Sequence, residues 1–351
     1  MLKGTGTTKK LRIISLLCLL TTHVYAEPPD LSGTYDTGTL TPFERPVAFG
    51  DNLYLSAEQA ASIQERVRTQ LDADLVKSDP DREAPPAGQF SRGYNLFWVD
   101  PGQSVDLVDG KFRTSILTRP ANGRLPALTD IAKQRAAELT AAWTIIWRFT
   151  DMSLDRDQSR AWWLDEGDGR GPYDNMEQRP YAERCIWGTR STGGPPMLPN
   201  IYNNHKRIVQ TDAHVMILTE MNHDARIVRI GGTHRPDAIR TWFGDSIGHW
   251  EGDTLVVRTT HFKETPAMWR ADENLKVTER FTRLVDGNLL YQFEVEDPTA
   301  WVENWAGEYT WRSDAEGKVY EVACHEGNHA LGNVMRGARV LEAEHASSSS
   351  D

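Results

Sequence analysis

Leu275 to Glu296, LKVTERFTRLVDGNLLYQFEVE, decides the fold. Apolar and polar residues alternate on both sides of Val285-Asp286-Gly287-Asn288, the period of a strand with one buried face. Asp-Gly at the centre is turn chemistry, so the stretch reads as a β-hairpin. One row holds Leu275, Val277, Glu279 and Phe281; the returning row holds Leu289, Tyr291, Phe293 and Val295. Glu279 therefore lies on an apolar row, where an unpaired carboxylate costs several kcal/mol.

Working outward, Trp250-Glu251-Gly252-Asp253-Thr254 turns another hairpin, and Ser313 to Gly317 is expected to turn a third ahead of KVYEVAC. Asp30 to Tyr35 is expected to form a first short strand. Tyr94 to Val99 and Lys111 to Thr118 are further strand candidates, the second entered through Val108-Asp109-Gly110. Two helices are expected. One starts at Ser56, with Gln59 three residues on as a capping box and Ala60, Ile63, Val67 and Leu71 as its apolar stripe; the other starts at Thr129-Asp130. The fold class is mainly β with minor α: an antiparallel lipocalin-like barrel over 181–345, an α+β portion over 27–180 before it, and a flexible tail at 346–351.

Residues 1–26 read as a signal peptide. Lys3, Lys9, Lys10 and Arg12 flank an apolar run from Leu11 to Leu20 that is too short to span a bilayer, and Val24-Tyr25-Ala26 offers a cleavage site. The segment holds four of the 39 basic residues and none of the 50 acidic ones, so the net charge of −11 becomes −15 after its removal. That balance argues against nucleic acid and anionic membranes as partners. A small molecule or saccharide in the periplasm or outside the cell is expected instead. Cys18 leaves with the segment, and Cys185 and Cys324 remain as an even pair for one disulfide.

Functional residues come from the alternation. Read as one strand, HVMILTEMNHDARIVRI (214–230) places Val215, Ile217, Thr219, Met221, His223, Ala225 and Ile227 on one row, so His223 is expected to face the interior with Glu279 and Tyr291. His223 would act as general acid or base, Glu279 as its partner, and Tyr291 or Arg226 would stabilise negative charge. Asp224 and Arg226 would form an on-strand ion pair. With no organic cofactor and no activated nucleophile expected, proton abstraction of the lyase or isomerase type on a sugar acid or aromatic compound fits better than acyl transfer. The alternatives are a non-catalytic small-ligand barrel, for which the 12 Trp offer lining, and a zinc peptidase through His325-Glu326-Gly327-Asn328-His329. Gly327 and Asn328 are poor helix formers for the latter. Asp245, Ser246 and His249 invite a Ser/His/Asp reading, but no G-x-S-x-G elbow surrounds Ser246.

EMNHDARI, WFGDSIGHWEGDTLVV, ENLKVTERFTR and ACHEGN, with RTSILTRPANGRLPALT and ERC upstream, resemble a large set of secreted bacterial proteins, over most of the chain from about Tyr94. The resemblance implies export and carries no mechanism. In that set the position of His329 is often aromatic, which argues against zinc there, and Asp151 to Tyr173 reads as an insertion.

Overall fold

In the computed structural model, residues 28–74, 99–136, 173–179, 183–186, 193–264, 268 and 270–348 are described, with isolated positions at 1, 4, 81, 161 and 164. Nearly all of the expected leader, the strand expected at Tyr94 to Val99 but for its last residue, and nearly all of the expected insertion at 151–173 lie outside them.

In chain order the elements are β1 (Gly33–Asp36), β2 (Tyr54–Leu55), α1 (Ala57–Asp74), β3 (Leu107–Val108), β4 (Lys111–Arg113), β5 (Leu117–Arg119) and α2 (130–136). Then come β6 (His205–Gln210), β7 (His214–Thr219), β8 (Ala225–Ile230), β9 (Asp245–Glu251), β10 (Thr254–Thr260), β11 (Lys276–Arg283), β12 (Leu289–Glu296), β13 (Trp305–Ser313) and α3 (His329–Ser348). Strands β1, β6 to β13 pair in that order and β13 closes back onto β1, so nine strands form a barrel; β5 adds to β13 as a tenth strand of the sheet. The protein is mainly β with minor α, as the alternation implied. The portion before residue 181 also contributes β1 to the barrel and β5 to its sheet.

Every barrel pairing is antiparallel except β8 with β9, which run parallel and are joined by the crossover 231–244. Following the pairings round the ring, β1, β7, β10 and β12 run towards one end of the barrel, and β6, β8, β9, β11 and β13 run away from it. That end gathers Asp36, His205, the 220–224 turn, Asp245 and His261.

The opening hairpin takes the register its Asp-Gly turn dictates, with Phe281 opposite Tyr291 and Val277 opposite Val295. Tyr291 in turn opposes Tyr309, and Leu289 opposes Trp311. Ring centroids lie 4.8 Å apart for Tyr291–Trp311 and 5.1 Å for Phe281–Tyr291. Such pairs contribute about 0.5–1.5 kcal/mol each beyond area burial. Trp301, Trp305 and Trp311 are buried in this core, so these three fill it and do not line an open site.

The smaller sheet β2-β4-β3 has α1 beside it, with Leu55, Ala60 and Val105 at the centre of their cluster. The capping box is present: Gln59 N–H donates to Ser56 Oγ (3.2 Å) and Ser56 N–H to Gln59 Oε1 (2.9 Å). Thr129 caps α2 through Ala132 N–H, and the β3–β4 turn uses Asp109 and Gly110, both at positive φ.

Three expectations are corrected. KVYEVAC forms no strand, because both edges of β13 are already taken, by β12 on one side and by β1 and β5 on the other. Lys111 to Thr118 is broken into β4 and β5. The tail is helical as far as Ser348, since no Pro or Gly follows Gly337 to stop α3, and Ser347 and Ser348 hydroxyls donate back to the carbonyls of Glu344 and His345. Cys185 and Cys324 form the expected disulfide, with Cα atoms 5.7 Å apart.

Candidate functional site

The β7–β8 connection decides which side chains enter the barrel. Met221–His223 forms a 3-10 turn in which Asn222 (φ 55°) and His223 (φ 45°) are left-handed. The chain therefore reverses at 220–223 and does not run on as one strand, and Ile217 faces Arg226 across the hairpin. Cross-strand partners share a face. The even residues of β8 thus join the odd residues of β7 inside: Arg226 and Val228 are buried, while Ala225 and Ile227 are exposed. His223 is on the exposed turn, not on the interior row. Asn and Asp in EMNHDA tolerate left-handed backbone, and that was the signal for the turn.

Arg226, Glu279 and Tyr291 do converge. Arg226 donates to both Glu279 oxygens, Nη1 to Oε2 at 2.5 Å and Nη2 to Oε1 at 2.9 Å, and Tyr291 OH donates to Oε1 at 2.8 Å. Burial opposes the Arg226 charge, but Glu279 outweighs it and holds the guanidinium above its usual value. Burial, with the Glu279 charge, pushes the Tyr291 phenol well up. Asp224 makes no ion pair with Arg226, whose fork is committed to Glu279.

What this network holds is the protein's own chain. Met197 N–H donates to Tyr291 OH (2.9 Å), Tyr309 OH donates to the Met197 carbonyl (2.8 Å), and Arg226 Nη2 lies 3.8 Å from Met197 Sδ. Met197 is fully buried, so the 193–198 segment plugs the barrel where an apolar ligand would sit. The three residues are better suited to fixing the plug than to meeting a substrate.

A second polar group lies at the barrel end. Lys206 faces inward from β6, opposite Tyr35 on β1 and Thr219 on β7. It is 1% exposed and its Nζ has no hydrogen-bond partner among the described residues. Burial pulls its amine down to about 7 against the raising effect of Glu220, Asp224 and Asp36. Asp224, whose carbonyl accepts Thr219 N–H at 2.8 Å, has a buried Oδ2 with no partner among the described residues; burial pushes its carboxyl up to about 7, against His223 and Lys206. A methyl group on Gly193 would stand 2.8 Å from that oxygen, so the plug segment also covers Asp224.

Around them, His205 Nε2 lies 3.1 Å from Asp314 Oδ2 and Nδ1 lies 3.6 Å from Glu220 Oε2. Glu220, ahead of Asp314, raises the imidazole to about 9 despite burial. Burial works to raise Glu220, yet His205 and the Tyr320 N–H hold it below its usual value. Asp36 pairs with Arg312. Lys206 was missed in the sequence. The row test that exposed Glu279 would have found it, since it shares its row with Ile208 in HKRIVQ.

The remaining expectations separate. Ser246 Oγ is bonded to Thr259 Oγ1 and His249 to Glu251, so no triad forms; the imidazole on Asp245 is that of His234. His325 lies in the turn before α3, which begins at His329 with Asn328 as its cap, so the two imidazoles do not share a helical turn as the peptidase motif requires. No family model matches the chain, and no curated protein matches it.

Proposed function

We propose that the protein is an exported enzyme that moves protons on a small saccharide-class molecule without an organic cofactor, using Lys206 as base and Asp224 as acid at the barrel end. The observation that carries this reading is the Lys206 Nζ, buried, inward-facing and without an acceptor among the described residues. Proton transfer is fastest when donor and acceptor values lie near working pH, and the environments of Lys206 and Asp224 bring both to about 7. A neutral Lys206 amine would take the proton from a carbon next to a carbonyl. A protonated Asp224 would deliver one to the departing or carbonyl oxygen, giving elimination or isomerisation. The reading keeps the reaction class expected from the sequence and moves it from His223 and Glu279 to Lys206 and Asp224.

Export rests on the 1–26 leader reading, the resemblance to secreted bacterial proteins and the Cys185–Cys324 bridge, which suits an oxidising compartment. Among the described residues no helix is long and apolar enough to cross a membrane.

The test is solvent exchange. Aldoses, ketoses and uronic acids are incubated with the protein in heavy water and followed by proton NMR. Loss of a signal next to a carbonyl, abolished in Lys206→Met and reduced in Asp224→Asn, is expected. Absence of exchange across the panel, or full exchange by Lys206→Met, would contradict the proposal.

A further inference from the structure

Outside the barrel wall, under the β8–β9 crossover, a second set of side chains is gathered that the proposed chemistry does not use. The far half of the crossover is anchored by other groups. Thr241 bridges to Phe262, Thr241 N–H donates to the His261 carbonyl (3.1 Å), and Arg240 Nη1 donates to the carbonyls of Phe262 (3.1 Å) and Glu273 (3.0 Å). Into this fixed frame the crossover delivers His234 and Asp237, and the ends of β9 and β10 deliver Asp245 and His261.

One ligand atom each from His234, Asp245 and His261 lies within 4.8 Å of the other two. The rings of His234 and His261 are stacked, with centroids 5.3 Å apart and planes 29° apart. Asp245 is already held: Arg229 grips both its oxygens, at 2.7 and 2.9 Å, and the Arg235 N–H donates to Oδ2 at 3.1 Å. It accepts in turn from His234 Nδ1 at 2.9 Å. A carboxylate so fixed keeps the proton on Nδ1 and leaves the Nε2 lone pair free, the second-sphere arrangement that aims an imidazole at a metal. His234 Nε2 is buried and has no partner among the described residues, a condition that native structures satisfy with a water or an ion.

His261 is held at both ring nitrogens, and the exposed partner on Nε2 is the one a metal would share. Its Nδ1 lies 2.7 Å from Thr260 Oγ1, its Nε2 lies 2.9 Å from Asp237 Oδ1, and its backbone is held at φ 60°. Such a left-handed conformation in a non-glycine residue is costly and collects at functional positions. Asp237 is 94% exposed and free to follow a ligand.

We propose that His234 and His261, with Asp237, bind one zinc-class divalent transition metal on the outer wall of the barrel, Asp245 orienting the His234 ring. Two imidazoles and a carboxylate, with one position left to water, are a donor set that zinc accepts, at about 2.0–2.2 Å from each protein ligand. The ligating imidazoles and carboxylate must be deprotonated to bind, so affinity rises with pH.

The experiment is cobalt(II) titration of the tag-free full chain after chelator treatment, read by the visible absorption of four- or five-coordinate cobalt, with zinc competition. One cobalt per chain is expected, displaced by zinc and absent in His234→Gln and His261→Gln, with His249→Gln unchanged. Should either histidine variant fail to fold by circular dichroism, the exposed Asp237→Asn decides, with affinity expected to fall at least tenfold. The proposal is overturned if the wild-type chain binds no cobalt. Binding that survives in folded His234→Gln and His261→Gln, unchanged affinity in Asp237→Asn, or binding lost only in His325→Gln, which would place the metal at the C-terminal motif, would equally overturn it.

Discussion

Glu279 shows how one buried charge can organise an interior. It is fully buried, yet two N–H groups of Arg226 and the hydroxyl of Tyr291 supply the bonds it would otherwise make with water. Removing one partner strands the other, which costs about 3–5 kcal/mol, whereas replacing a buried pair with apolar groups is often neutral. Arg226→Met is therefore expected to lose about 3–5 kcal/mol in urea unfolding, and Arg226→Met/Glu279→Leu to recover most of the loss. Lys206 behaves in the opposite sense because burial disfavours its charge and no hydrogen-bond partner among the described residues offsets it. Its folded value, about 7, lies below the unfolded 10.5, so the folded state binds fewer protons between those limits and stability rises with pH there. Lys206→Met removes that penalty. Its stability gain over wild type should be largest below about pH 7 and vanish near 10.5, as read from melting curves across pH.

At the scale of elements, the disulfide does what no strand pairing does, tying the chain before the barrel's main run to the segment after β13 across 139 residues. Cross-links over loops of this size contribute about 2–5 kcal/mol, so Cys185→Ser/Cys324→Ser should unfold at lower denaturant by that amount with the barrel's circular dichroism unchanged beforehand. The elements legible in the sequence were those whose signal is local. The Asp286-Gly287 hairpin, the Ser56 capping box and the Asp109-Gly110 turn each carry their determinants within a few residues. His223 was misplaced because alternation says which face a residue takes only while the strand continues, and a four-residue reversal changes the parity of everything after it. Arg226 was named for the right neighbourhood but as a helper, because the identity of its partner depended on that parity. KVYEVAC failed for a non-local reason: a strand needs a free edge, and no local pattern records that β1 and β5 share one edge of β13.

Over the whole molecule, several titrating groups at and near the crowded barrel end set the pH response. Burial raises Asp106 and Asp224 from 3.8 to about 7, and Glu220 leads in raising His205 from 6.5 to about 9. Each binds its proton more tightly when folded, so its stabilising contribution is present below the unfolded value and lost as pH climbs through the folded one. Asp245 works the other way. Burial opposes its charge, but Arg229 and His234 hold it below its usual value, so its contribution is lost only in stronger acid. Stability should therefore fall as pH rises from about 4 to 7, and Asp106→Asn should flatten that slope. Melting temperatures measured at constant ionic strength across this range read it directly; an unchanged slope in Asp106→Asn would count against the assignment.

The closed β-architecture was legible from alternation and turn chemistry, but closure through β1, the Met197 plug and the inward Lys206 arise from contacts between segments distant in sequence. The central claim is that the barrel end holds an amine able to shed its proton near neutrality. Carbon-13 NMR of chain labelled at lysine Cε, titrated from pH 5 to 11 beside Lys206→Met, tests it most directly. One resonance, missing in Lys206→Met, should titrate at about 7 while the fold is intact. If every lysine of the folded wild-type chain instead keeps its ammonium shift up to about pH 10, the ordinary value for the side chain, the account of the site is wrong.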